Sequence, residues 1–97
     1  MAVKTYQFTV TATAQKIATA PVGVGKVKIY FENTGATNHV FIGGDSTVTS
    51  ASGYEIPNFA LNTITHRQEF ELFGGESLWA VCASALTTTV AVLTVGN

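Results

Sequence analysis

The side chains that most often carry out chemistry are few in this sequence, and their spacing does not suit catalysis. Its six carboxylates include one close pair, Glu69 and Glu71, which lie beside Arg67. On one face of a strand these two side chains are about 7 Å apart. General acid–base catalysis needs two carboxylates in a cleft that drives their pKa values apart, and a solvent-facing pair does not meet that condition. We therefore interpret the pair as part of a solvated strand face.

The histidines and the cysteine do not complete a metal or nucleophile pattern. His39 and His66 lack the short His-to-His or Cys-to-Cys spacings of structural metal sites, and a distant pairing with Asp45 is the alternative that remains. Cys82 is the single cysteine, which excludes an intrachain disulfide, and its apolar neighbours predict a small buried side chain. We expect no catalytic residue, no cofactor-binding residue and no metal ligand, and hence no enzyme.

Composition and charge favour a protein that contacts other proteins. Apolar residues make up 46% of the chain and charged residues 11%, against about 25% charged in a typical soluble domain. A partner or sister subunit that covers part of the surface would explain this deficit, and a secreted, Thr-rich β domain is the alternative. The net charge of −1 does not suit a polyanion, so we expect no nucleic acid as partner. With no signal-peptide pattern and no apolar run near the ~18 residues of a membrane helix, we expect no membrane contact and folding in a reducing cytoplasm.

The elements that would position these residues are strands, because apolar side chains recur at every second position. Residues 78–83 form the most apolar segment and are predicted to be a central strand with both faces buried. The chain 1–97 is expected to be a single all-β domain, a small β-sandwich or jelly-roll-like barrel of about eight short antiparallel strands. The predicted strands are 4–13, 16–19, 26–33, 39–42, 54–56, 65–73, 78–83 and 88–95, with a brief strand at Val48 inside a polar loop.

The aromatic residues outnumber the inward positions that so short a chain needs to fill. Phe31 and Phe70 fit the core, but other aromatic residues alternate out of phase with their core neighbours. They either cover a second buried face or stack on a ligand such as a sugar, and we favour the packed face because protein interfaces are rich in aromatic residues. The predicted interface residues are Tyr6, Tyr30, Phe41, Phe59, His66, Phe73 and Trp79.

Several segments resemble a pattern in small virion proteins of tailed bacteriophages. Phe41-Ile42-Gly43-Gly44-Asp45-Ser46, a Thr-containing loop and Gly53-Tyr54-Glu55-Ile56 are similar to its strand, loop and next strand. Gly75-Glu76-Ser77-Leu78-Trp79-Ala80-Val81 is similar to a Gly-acid-Ser-Leu-aromatic-Ala-Val strand of that family, with Trp79 where Tyr is usual. Segments 11–17, 27–35 and 90–93 fit the opening and closing strands, whereas 57–62 lacks the usual glycine of its loop.

The resemblance implies a β-sandwich or barrel module used as a capsid decoration (cement) protein, a head fibre or a tail domain. We expect a decoration protein that binds the major capsid protein on the outer surface of the virion, stabilises the shell, forms a homotrimer and is made in the host cytoplasm. The alternative is a tail or head-fibre module that binds host surface glycan. In that case Trp79, Tyr30 or Tyr54 would stack on the sugar, and Asp45 or Asn38 would anchor its hydroxyl groups.

Overall fold

Alternating apolar and polar side chains build the strands that the sequence predicts. The computed structural model describes residues 3–23, 25–58 and 67–96. Three predicted strands, 26–33, 54–56 and 88–95, have the predicted bounds. The strands in chain order are β1 (Val3–Val10), β2 (Gln15–Thr19), β3 (Lys26–Asn33), β4 (Val40–Gly43), β5 (Tyr54–Ile56), β6 (Arg67–Phe73), β7 (Ser77–Val81) and β8 (Thr88–Val95).

The strands form two four-stranded sheets in which every neighbouring pair is antiparallel. Sheet A has the order β1-β8-β3-β6, and sheet B has the order β2-β7-β4-β5. Eight strands divided in this order between two packed sheets make a jelly roll. The predicted all-β sandwich is therefore confirmed, and the described strands form two separate sheets rather than one closed barrel.

The core lies between the two sheets. Sheet A contributes Val27, Ile29 and Phe31 from β3, and sheet B contributes Ile42 and Ala80. Burying one large apolar side chain stabilises a fold by about 1.5–3 kcal/mol. Strand β7 is central, as predicted, between β2 and β4. Its Leu78 and Ala80 face the core, while Trp79 between them faces outward and is half-buried.

The predicted boundaries differ from the structure where hydrogen bonds outside the ladders take over. Strand β1 ends at Val10 rather than at residue 13, because the Thr11 carbonyl accepts a hydrogen bond from the Cys82 N–H at 2.8 Å and the chain turns towards sheet B. The pairing of β2 with β7 shifts between Lys16 and Ala18. Such a bulge opposes two residues to one on the neighbouring strand, which lets both Ile17 and Ala18 be buried.

The predicted brief strand at Val48 does not form. Val48 lies in a turn, and its N–H donates to the Asp45 carbonyl at 3.3 Å. Its side chain is nevertheless buried, because the turn folds back onto sheet B. Residues 65 and 66 of the predicted sixth strand lie outside the described residues.

A buried asparagine at the end of β3 holds three segments together. The Asn33 amide nitrogen donates to the carbonyls of Asn38, Ile56 and Pro57 at 3.0, 3.3 and 3.3 Å. Its oxygen accepts from Gly35 N and from the Thr88 hydroxyl at 3.1 and 2.8 Å. A buried polar side chain is tolerated when its hydrogen bonds are made, and this one fixes the loop between β3 and β4.

Candidate interaction surface

The predicted interface residues do not share one surface. Tyr30 and Phe73 point outward from sheet A, whereas Phe41 and Trp79 point outward from sheet B on the opposite side of the sandwich. Tyr6 lies on the side of β1 that faces the core, since it pairs with buried Val92, but it is 42% exposed. Phe59 and His66 lie outside the described residues.

The outer face of sheet B is covered in part by the chain itself. Residues 44–53 form a loop whose Val48 packs against Gly43 and Gly53, beside Phe41. A Cβ atom added at Gly43 would lie 2.7 Å from Val48 Cγ2, and one at Gly53 would lie 2.7 Å from Phe41 Cβ. Glycine is therefore needed at both positions for the loop to approach the sheet. Phe41 is left half-buried, and Val81, its neighbour across the strands, is buried.

Hydrogen bonds within this loop keep it closed over the sheet. Asp45 Oδ1 accepts from the Thr47 hydroxyl and from the Thr47 N–H, the latter at 2.8 Å. These two bonds hold the pKa of Asp45 below its ordinary value of 3.8, and the bond from the hydroxyl has the larger effect. The Gly53 N–H donates to the Thr49 carbonyl at 2.8 Å and closes the other end of the loop.

Trp79 lies on the same side, at the border of the covered region. The Lys16 ammonium group is 5.7 Å from the centre of the Trp79 ring, a cation–π contact. A shallow groove of about 560 Å³ is lined by Trp79, Lys16, Glu76 and Ser77. The aromatic ring therefore borders polar groups, but one of its faces is already in contact with Lys16.

The polar anchors expected for a sugar are engaged within the protein. Asn38 donates from its amide nitrogen to the Thr87 carbonyl at 2.7 Å, and Asp45 binds Thr47 as described above. Tyr54 is 59% exposed and belongs to β5 at the edge of sheet B. Tyr30 belongs to sheet A, so the three aromatic residues expected to stack on a sugar are divided between the two sheets.

The outer face of sheet A has an uncharged half and a charged half. The uncharged half is built by β1 and β8, whose cross-strand pairs Val3–Val95, Thr5–Leu93 and Gln7–Ala91 point outward. Ala91, Leu93 and Val95 are half-buried, and the β1 residues are exposed. The sequence reasoning missed these three β8 residues. The signal for them is that both parities of β8 are apolar, which is typical of an interior strand with contacts on two faces.

The charged half is built by β3 and β6 and is electrically balanced. Three ion pairs connect these strands: Lys26–Glu71 at 3.3 Å, Lys28–Glu69 at 3.5 Å and Arg67–Glu32 at 3.2 Å. Exposed pairs of this kind are worth about 0–1 kcal/mol each. Glu69 and Glu71 thus each pair with a lysine across the ladder, in agreement with a solvated strand face.

Tyr30 lies where the two halves meet. It is 37% exposed, and its cross-strand neighbours are Leu93 on one side and Glu69 on the other. The Lys28 ammonium group lies 5.6 Å from the centre of its ring. A hydrogen bond with Tyr30, followed by charge interactions with Tyr30 and Glu69, raises the pKa of Lys28 above its ordinary value of 10.5.

The two halves enclose a broad, shallow depression of about 1060 Å³. Its lining includes Thr5, Gln7, Tyr30, Glu32, Ala91 and Leu93. Such an open, mixed surface offers a wide contact area but no enclosed pocket for a small substrate. It suits contact with another protein surface.

The structure brings few reactive groups together. Within residues 3–23, 25–58 and 67–96, no three His, Cys, Asp or Glu side chains are placed to hold a metal ion. His39 pairs with Glu55 on the surface of sheet B. Cys82 is buried, which raises the pKa of its thiol, and its Sγ lies 3.5 Å from the Val10 carbonyl oxygen. In this part of the chain no helix has the length and apolar character to cross a membrane.

Comparison with known proteins finds likeness at the level of the fold. No family model and no curated protein sequence matches the chain. One similar solved structure is from Bacillus endospore appendages, described as a novel family of disulfide-linked pili. It aligns with a TM-score of 0.61 and 15% identity over 96% of this chain and 83% of that one. At this identity the likeness shows a shared β-sandwich fold.

Proposed function

We propose that this chain is a structural subunit of a bacteriophage head, a decoration protein that binds the major capsid protein on the outer surface of the virion and stabilises the shell. The observation that carries the proposal is the outer face of sheet A. It combines half-buried apolar residues of β8 with exposed Tyr30 and uncharged β1 side chains, and the depression on it is lined by residues of β1, β3, β6 and β8. The bacteriophage part of the proposal rests on the sequence resemblance.

The distribution of charge on this face supports a protein partner. The three cations at the β3 and β6 side are each paired with a carboxylate, so they do not form a positive patch for a polyanion. Apolar area beside balanced charges can be buried against a protein with matching groups, and aromatic side chains such as Tyr30 are favoured in such contacts.

Assembly of this protein would depend on contacts without covalent links. The similar Bacillus appendage protein is described as forming disulfide-linked pili. Here the single cysteine, Cys82, is buried, and the pKa of its thiol is raised, which lowers the amount of reactive thiolate. The extended outer face of sheet A would therefore supply the binding energy. The homotrimer expected from the resemblance stays a prediction.

Glycan binding by a fibre or tail module is the second candidate. The observation that favours it is the groove in which Trp79 borders Lys16, Glu76 and Ser77. A sugar that stacks on the ring face in contact with Lys16 must displace that side chain, which reduces the gain in binding. Glycan-array binding that disappears in Trp79→Ala would support this candidate over the first.

The test of the capsid proposal is binding to phage heads that lack the protein, measured by co-sedimentation. Leu93→Lys places a charge at the centre of the outer face of sheet A and is expected to weaken binding by about tenfold or more. Ser50→Lys, in the exposed loop on sheet B, is the matched control and should bind as the unmodified chain does. Unchanged binding by Leu93→Lys, or no binding by the unmodified protein, would contradict the proposal.

A further inference from the structure

The four edge strands of the sandwich differ in how they avoid pairing with other chains. Natural edge strands are protected by charges, bulges, prolines or short length. Strand β6 carries Arg67, Glu69 and Glu71 on one face. Strand β2 has five residues and a bulge. Strand β5 has three residues and is followed by Pro57. Each of these edges therefore has at least one protective feature.

Strand β1 has the fewest of these features. It runs for eight residues, Val3–Val10, and pairs with β8 without a register shift. Its single charged residue is Lys4, and it is rich in the β-branched and aromatic residues that favour strands. It is the end strand of sheet A, and among the described residues no strand pairs with its other side. Every second residue of such a strand points its N–H and C=O groups away from the sheet.

A groove for side chains runs beside this edge. Tyr6 and Phe8 stack with ring centres 6.2 Å apart and line a groove of about 260 Å³ together with Ile17 and with two cationic residues, Lys4 and Lys16. Tyr6 lies on the inward-facing side of β1 but is 42% exposed, because it borders this groove between β1 and β2. An added strand gains affinity from main-chain hydrogen bonds and specificity from side-chain pockets, and this edge offers both.

We propose that β1 pairs antiparallel with β1 of a second copy about a two-fold axis, so that the two four-stranded A sheets join into one continuous sheet. A two-fold axis perpendicular to the sheet places residues of the same parity opposite each other. With the axis at Tyr6 or Gln7, Lys4 faces Phe8 or Val10 of the second copy. No like charges meet, and the aromatic residues of each copy lie beside the groove of the other.

A second copy fits this edge better than an unrelated strand because β1 is complementary to itself. Its even positions other than Lys4 are apolar, and its odd positions from Thr5 to Thr9 are polar and uncharged. Lys4 is the exception, since it faces Phe8 or Val10. For either position of the axis, Tyr6 meets an aromatic residue, and Thr5 and Gln7 meet polar residues. The inference goes beyond the proposed function, because the pairing requires no capsid. The proposed dimer also differs from the expected homotrimer, and a measured mass distinguishes the two.

The first test is the mass of the full chain in solution, measured by light scattering during gel filtration at micromolar concentration. We expect about twice the 10.2 kDa of one chain. Thr5→Lys combined with Gln7→Lys sets lysine opposite lysine for either position of the axis, and the mass should fall by half. Ser46→Lys combined with Ser50→Lys adds the same charge on the loop of sheet B and should leave the mass unchanged.

A thermal melt of each variant shows whether it is folded. A monomeric unmodified chain, or a trimer that persists in the folded Thr5→Lys and Gln7→Lys variant, would overturn the inference. A monomer that still binds phage heads would overturn it while leaving the capsid proposal standing. A dimer that loses half its mass in that variant but does not bind heads would support the pairing and contradict the capsid proposal.

The second test is disulfide trapping. Directly opposite residues of antiparallel strands have Cα atoms about 4.5–5.5 Å apart, within the range of a disulfide. Gln7→Cys should give a covalent dimer under mild oxidation if the axis passes through residue 7, and Tyr6→Cys if it passes through residue 6. Buried Cys82 contributes little background. Val22→Cys, at a position that is 88% exposed, is the control. If neither β1 variant forms more covalent dimer than this control, the proposed pairing is overturned.

Discussion

Both sheets turn aromatic side chains outward, but they differ in what lies over them. On sheet B, residues 44–53 fold back so that Val48 packs beside Phe41, and part of that face is buried within one subunit. On sheet A, Tyr30 and Phe73 remain exposed. An aromatic residue out of phase with the core is therefore not always left on the surface, because a loop of the same chain can cover it, as at Phe41.

Charge substitution is expected to separate the two faces most clearly. Val48→Asp places a charge in a buried position and should lower the free energy of unfolding by about 3 kcal/mol. Leu93→Asp, on the open face of sheet A, should cost about 1 kcal/mol, chiefly because aspartate disfavours strands. Urea unfolding measures both. Equal losses would show that Val48 and Leu93 are equally buried, which would contradict the difference between the two faces.

The glycines at the two ends of the loop 44–53 are expected to give the next largest effect on stability. Gly53→Ala puts a methyl group 2.7 Å from Phe41 Cβ and 3.0 Å from the Thr49 carbonyl oxygen. We expect this overpacking to cost about 2 kcal/mol. Gly44→Ala is the matched control, because an added Cβ there meets no atom within 4 Å. The free energy of unfolding of this control should stay the same or rise by up to about 0.5 kcal/mol. A neutral Gly53→Ala would mean that the loop does not pack closely on sheet B.

The smallest effects concern pH, and the two faces should respond in opposite directions. Hydrogen bonds from Thr47 lower the pKa of Asp45 below 3.8, so its contribution to stability is present above pH 3.8 and is lost as the pH falls through the folded value. The hydrogen bond with Tyr30 and the charge of Glu69 raise the pKa of Lys28 above 10.5. Its contribution is present below pH 10.5 and is lost as the pH rises through the folded value.

Urea midpoints measured across the pH range test this contrast. Asp45→Asn should reduce the fall in stability on the acid side and leave the alkaline side unchanged. Lys28→Met should reduce the fall in stability on the alkaline side and leave the acid side unchanged. Both groups are exposed, so each effect is small. The same change of slope in both variants would contradict the opposite directions of the two pKa shifts.

The sequence predicts the strands well because each strand has one face in the core, and alternation records that directly. It does not predict the cover over Phe41, because the loop that provides it has no periodicity, and Val48 alone resembles a short strand. The exposure of Tyr6 also escapes the pattern, since parity states which way a side chain points but not how far the opposite sheet extends. The bulge before Ala18 breaks the alternation in β2, so its two consecutive buried residues are visible only in three dimensions.

The candidate surface is predictable in part. Tyr30 is found because it alternates out of phase with the core. Its neighbours Leu93 and Ala91 are missed because β8 has apolar residues on both faces, so its alternation does not show which face lies outside the core. Only the strand order places β8 between β1 and β3, where its odd residues meet Thr5, Gln7 and Tyr30 on an open face. Which residues lie beside one another across strands is a property of the topology, and the local pattern does not contain it.

The proposal that a partner covers the outer face of sheet A in the virion is tested most directly by the reactivity of single cysteines before and after assembly. Ala91→Cys reports on the outer face of sheet A and Ser50→Cys on the loop of sheet B, while buried Cys82 stays unreactive in both. We predict that a maleimide labels Ala91→Cys at least about tenfold more slowly in virions than in the free protein, and Ser50→Cys at the same rate in both. Protection of Ser50→Cys with unchanged labelling of Ala91→Cys would contradict the account.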